Sequence, residues 1–116
     1  MIINSCEQKS TLSAKQIRTG TFISTLDNSD LTTKFIRNDS IQIDFFKSTI
    51  DSSYITWNSD FEYVLKNLNP KTKNDQFEFI VRITGIYADY YTYKGHFKGS
   101  KFNYSGKATL QQPNTN

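Results

Sequence analysis

The chain has a single cysteine, Cys6, and a single histidine, His96. One cysteine excludes an internal disulfide, and one histidine excludes a histidine triad or a multi-histidine metal site. Glycine and proline are scarce, five and two in 116 residues, which argues against a disordered or low-complexity chain. No apolar run approaches the ~18 residues that span a bilayer. A glycine-rich phosphate loop is also lacking, because Gly95, Gly99 and Gly106 stand too far apart and no Lys-Ser/Thr follows at a suitable spacing. Charge of one sign is not concentrated either. The formal net charge is +3, but Lys and Arg are spread along the chain, with a mild excess from Lys94 to Lys107. A nucleic-acid or anionic-lipid partner would call for a clustered patch.

What the chain does have is rings. Nine Phe and seven Tyr bring aromatics to 15%, and each ring buries ~150–250 Å². A chain of this length is one domain. Period-two alternation runs through most of it. Thr21 to Leu26 reads as a first strand, followed by a turn at Asp27 to Asp30 and a strand at Thr33 to Arg37. Asn38-Asp39 suits a two-residue hairpin turn. Ile41, Ile43 and Phe45 alternate with Gln42 and Asp44. Further strands are expected at Ser53–Trp57, Phe61–Leu65, Phe77–Ile83, Tyr90–Phe97 and Phe102–Leu110, with Gly85 marking a bulge or bend. Asp60 to Asn67 also admits a short helix, and Thr11 to Arg18 has room for one or two helical turns.

Short strands at roughly ten-residue spacing predict an all-β fold. The expected form is one antiparallel meander of seven to eight strands, curling into a small half-open barrel. The domain is expected over 19–111, after a lipoprotein-type terminus and tether over 1–18 and before a disordered tail over 112–116.

Ser5-Cys6, with apolar residues upstream and the polar stretch Glu7 to Lys15 behind, looks like the end of a bacterial lipoprotein signal. Cys6 would then carry the lipid, and acyl chains contribute ~0.8 kcal/mol per buried CH₂ to anchoring. That reading requires a basic, apolar leader upstream of Met1.

Several side chains suggest sites. Asp44 with Glu62 or Glu78 raises acid–base chemistry, but strand carboxylates usually pair with basic residues, as Asp44 would with Arg37. Arg37, Gln42, Asp44 and Glu62 therefore read as a cross-strand polar ladder, with Ile41, Ile43, Ile55, Trp57, Tyr63 and Leu65 as core. The segment from Tyr87 to Tyr104 interleaves aromatics with Lys. Tyr87, Tyr90, Tyr91, Tyr93, Phe97 and Tyr104 are the candidate contact residues for a small apolar ligand or an envelope protein. The competing reading of the same segment is a single-stranded nucleic-acid platform. No catalytic residue, metal ligand or cofactor is expected, and the function read from the sequence is non-enzymatic.

The motifs Ile36-Arg37-Asn38, Gln42-Ile43-Asp44, Trp57-Asn58-Ser59-Asp60 and Glu62-Tyr63-Val64-Leu65 resemble a family of small, uncharacterised lipoprotein-like proteins from Bacteroidetes. Members often have Cys where Phe61 stands here. Such proteins sometimes carry the name DNA topoisomerase IV, which a chain this short, without an acidic metal-binding cluster, does not fit. The resemblance implies a lipid-anchored cell-envelope protein, facing the periplasm or the cell surface. The opening Gly20-x-Phe22 is similar to the Gly-x-Trp of lipocalins, which implies a lipocalin-like outline.

Overall fold

The computed structural model describes residues 11–111, which form a closed antiparallel barrel of eight strands. In chain order these are β1 (Gly20–Leu26), β2 (Thr32–Arg37), β3 (Ile41–Phe46), β4 (Thr49–Ser59), β5 (Glu62–Asn67), β6 (Phe79–Ile86), β7 (Tyr90–Phe97) and β8 (Tyr104–Leu110). Each strand pairs with the next, and β8 returns to β1. The expected meander is present in lipocalin-like outline, and it closes rather than staying half open. Closure runs from Phe22↔Leu110 to Leu26↔Gly106 and leaves no sheet edge unpaired. The helical alternative at Asp60 to Asn67 is replaced by β5, and Thr11 to Arg18 forms turns instead of a helix. The only helical element described is a three-residue 3₁₀ turn at Asn74–Gln76.

Small residues make the closure possible. The inward positions of β8 include Gly106 and Ala108, so the tyrosines of β7 lean across this strand. A Cβ on Gly106 would stand 2.5 Å from the Thr25 carbonyl oxygen and 2.8 Å from the Tyr93 hydroxyl. That hydroxyl bonds the Ser24 Oγ on β1 at 2.6 Å, a stitch spanning the seam. Two register shifts, between Trp57 and Ser59 and between Ile83 and Gly85, bend β4 and β6 toward one end of the barrel, as bulges do. The second lies where Gly85 predicts it.

That end is solid. Phe22 stacks on Phe35 at 5.0 Å and meets Tyr91 edge-on at 5.9 Å, with Ile55, Tyr63, Val81, Ile83 and Ala108 buried around them. The N-terminal segment caps it. Ser13 and Gln16 bond each other's backbone N–H through Oγ and Oε1, the reciprocal pattern of a capping box. The Leu12 N–H donates to the Tyr87 carbonyl, and Leu12 and Ile17 are buried in the core. The tether expected over 1–18 is therefore corrected: its second half belongs to the domain. The tail over 112–116 lies outside the described residues.

The largest departure from expectation is β3. Directly opposed residues of an antiparallel pair share a face. The β2–β3 register sets Phe35 opposite Asp44 and Arg37 opposite Gln42. Phe35 points inward to stack on Phe22, so Arg37, Gln42 and Asp44 point inward as well. Ile41, Ile43 and Phe45 take the outer face, with Ile36 of β2. The alternating apolar set of β3 lies outside and Gln42 and Asp44 inside, because the register ties them to the face that Phe35 presents to Phe22.

Candidate functional site

The half of the barrel away from the N-terminal cap is hollow. A cavity of about 640 Å³ opens there, among the β1–β2 turn, the Lys47-Ser48 turn and the loops over 68–78 and 98–103. An eight-stranded barrel has room for one small ligand. Leu26, Phe46, Leu65, Phe79, Phe97 and Tyr104 give an apolar wall, and Phe77 and Leu31 stand at the rim. Deeper, Phe35, Val81, Tyr63 and Tyr93 form the floor over the solid core. Phe79 lies against Phe97 at 4.9 Å and Tyr104 at 5.9 Å, a ring cluster on one side of the mouth.

The opposite wall is polar. Gln42 and Asp44 on β3 face Asp51 and Ser53 on β4, and all four line the cavity. The register pairs Asp44 directly with Asp51 and Gln42 with Ser53. Gln42 is 3% exposed. Its Nε2 donates to Asp44 Oδ1 at 3.0 Å, while its Oε1 is buried with no partner among the described residues. The carboxylate fixes the amide orientation, since the reverse would set two oxygens together. Burial pushes the Asp44 carboxyl up to about 6; the Asp51 charge adds to this, and the Gln42 bond and Arg37 oppose it. Asp51 is held from the rim by Lys71 at 3.5 Å.

Beneath the floor lies Arg37, 3% exposed. Its guanidinium donates to the Ile17 carbonyl and to the Tyr63 and Tyr91 hydroxyls, and those hydroxyls bond each other at 2.9 Å. The rings of Phe35 and Tyr63 lie 4.6 Å from it, and Phe22 5.0 Å. Ring faces and hydroxyl dipoles thus stand in for a counter-ion. The arrangement ties the N-terminal cap to the barrel floor. Burial raises the Tyr91 hydroxyl well above its ordinary range, and Tyr93 is raised for the same reason.

The candidate residues therefore scatter by position. Tyr93, Phe97 and Tyr104 line the cavity, and Tyr91 sits in the core below it. Tyr87 and Tyr90 stack on each other at 4.7 Å near the capped end, with Lys107 Nζ 5.0 Å above Tyr90. The six aromatics do not form one surface, because alternation along β7 sends neighbouring rings to opposite faces. The polar ladder is corrected as well. Arg37, Gln42 and Asp44 are interior. Only Glu62 is outside, pairing with Arg82 at 3.4 Å and accepting from Asn58. Cys6 lies outside the described residues.

The sequence reading missed Asp51 and Ser53 as site residues: it began the strand at Ser53 and left Asp51 outside it. The signal available was their spacing with Ile55 and Trp57 at period two. Among the described residues no three His, Cys, Asp or Glu side chains are placed to hold a metal ion. No known family model, curated protein or solved structure matches the chain.

Proposed function

We propose that this protein is a non-enzymatic carrier or sensor that holds a small, largely apolar ligand inside the barrel, within the cell envelope and anchored through Cys6. The observation that carries the reading is the division of the interior into a packed capped half and a hollow, aromatic-lined half of about 640 Å³. Packed protein interiors leave few voids larger than a water molecule, so an open half of this size sets itself apart from the solid, capped half. Rings with few convergent polar groups are the usual lining of small-molecule sites. The anchor fits the same geometry. The N-terminal segment crosses the capped end, so a lipid on Cys6 would hold that end to the membrane and leave the mouth free. The nucleic-acid alternative draws less support, because Tyr93, Phe97 and Tyr104 are turned away from the outer lysines.

The test is titration with N-phenyl-1-naphthylamine, a neutral dye that brightens in apolar cavities. Saturable binding at one site per chain is expected. Ser53→Phe, which adds a ring inside the cavity, should weaken it at least tenfold. Dye binding unchanged in that variant, or none in the parent, would overturn the proposal.

A further inference from the structure

The cavity's polar wall selects a kind of head group. Two carboxylates, Asp44 and Asp51, are directly opposed on adjacent strands and both line the cavity. Like charges opposite each other destabilise a sheet. Beside them Gln42 Oε1, on a side chain 3% exposed, is an acceptor without a donor among the described residues. An unmet buried acceptor is costly to leave. Hydrogen-bond capacity on this wall is thus mostly unspent acceptance, and negative charge is in excess.

The positive groups nearby do not resolve this. Arg37 lies below the floor with its terminal nitrogens committed to Ile17, Tyr63 and Tyr91. Lys71 approaches Asp51 from the loop over 68–78, at 3.5 Å and with half its side chain in solvent, where an ion pair contributes little. On the other side of the cavity stands the ring cluster of Phe79, Phe97 and Tyr104, and aromatic rings can attract cations.

We propose, on the footing of the cavity-binding reading above, that the ligand is a primary amine on an apolar body. Its ammonium sits between Asp44 and Asp51 and donates its third proton to Gln42 Oε1, while the body lies against Phe79, Phe97 and Tyr104. The three donors of an ammonium match these three acceptors. Displacement of Lys71 from Asp51 accompanies binding.

The pH dependence follows from the groups that act on Asp44: Gln42 on its own strand, Asp51 on β4, Arg37 on β2 and the Tyr93 hydroxyl on β7. With Asp44 titrating near 6, the site loses one charge between neutral and mildly acidic pH. Amine binding weakens over that interval.

Displacement of N-phenyl-1-naphthylamine separates this inference from the reading beneath it. Dodecylamine, dodecanol and dodecanoate share one apolar body and differ in head charge. At pH 7.5 dodecylamine should displace the dye at a concentration at least tenfold below dodecanol, with dodecanoate weakest. Asp44→Asn should bring the amine preference down to about twofold or less and leave dodecanol unchanged, and so should a shift of the parent to pH 5. Asp51→Asn gives the same reading should Asp44→Asn fail to fold. Equal displacement by all three, or preference for dodecanoate, overturns the amine assignment and leaves the cavity reading standing. Failure of the dye to bind overturns both.

Discussion

Arg37 shows how a buried cation survives without a carboxylate. Its three donated bonds to neutral acceptors are charge-assisted, each contributing about 1.5–3 kcal/mol, and the rings add roughly 0.5–2 kcal/mol apiece. Lysine cannot reproduce the planar fork. Arg37→Lys should lose about 2–4 kcal/mol in urea unfolding. Arg37→Met should lose less, because it removes the buried charge and leaves the Tyr63–Tyr91 bond intact. The reverse order would show that the guanidinium's charge, rather than its geometry, matters. Asp44 makes the opposite case. Its folded pKa, about 6, exceeds the ~3.9 of an unfolded aspartate. The native state therefore binds the extra proton, and stability falls as pH rises from about 4 through 6. Two units correspond to about 3 kcal/mol at neutral pH. Asp44→Asn should raise Tm at pH 7.5 and leave it nearly unchanged at pH 4, by calorimetry at the two values.

At the scale of elements, the cap and the seam are the points of weakness. Ile17→Ala should cost about 2–5 kcal/mol, the range for emptying a buried aliphatic site, and should speed exchange of the Leu12 amide hydrogen. The two inward glycines should differ. At Gly106 an added methyl meets the Thr25 backbone, which cannot move without parting β1 from β8. At Gly95 it meets the tip of the Phe79 ring, which borders the hollow and can swing into it. Gly106→Ala should therefore unfold at much lower urea than Gly95→Ala. Strand positions were largely readable beforehand, because alternation survives in Phe79–Ile83 and Ile41–Phe45 whichever face is inside, although the strand expected from Phe77 begins two residues later. The facing of β3 was not readable. Counting Ile41, Ile43 and Phe45 points them inward, and only the stacking of Phe35 on Phe22, thirteen residues apart in sequence, decides otherwise. The cavity wall was hidden for the same reason. Gln42 and Asp44 look like a surface until the barrel's curvature turns them in, and Asp51 looks like a loop residue until β4 is seen to run eleven residues.

For the molecule as a whole, structure and proposed work divide along the barrel axis. The capped half supplies the packing, and the open half gives some of it up. A chain beginning at Thr19 would lack Leu12 and Ile17 and leave Arg37 without its carbonyl partner. It should show a lower Tm and, if it folds, still bind the dye, since no cavity residue is lost. Dye binding abolished in a folded chain of this kind would mean the two halves are not separable.

The pairing order sets a timetable. Seven of the eight interfaces join neighbours in sequence, and such hairpins close in microseconds. The eighth joins Phe22 to Leu110. Closing a loop nine times longer than a hairpin costs about 2 kcal/mol more in chain entropy. The seam therefore carries the highest closure cost of the eight interfaces, and the barrel cannot close before β8 has been synthesised. Until then β1 offers an unpaired edge to any other chain. Protection during that interval falls to whatever receives the nascent protein.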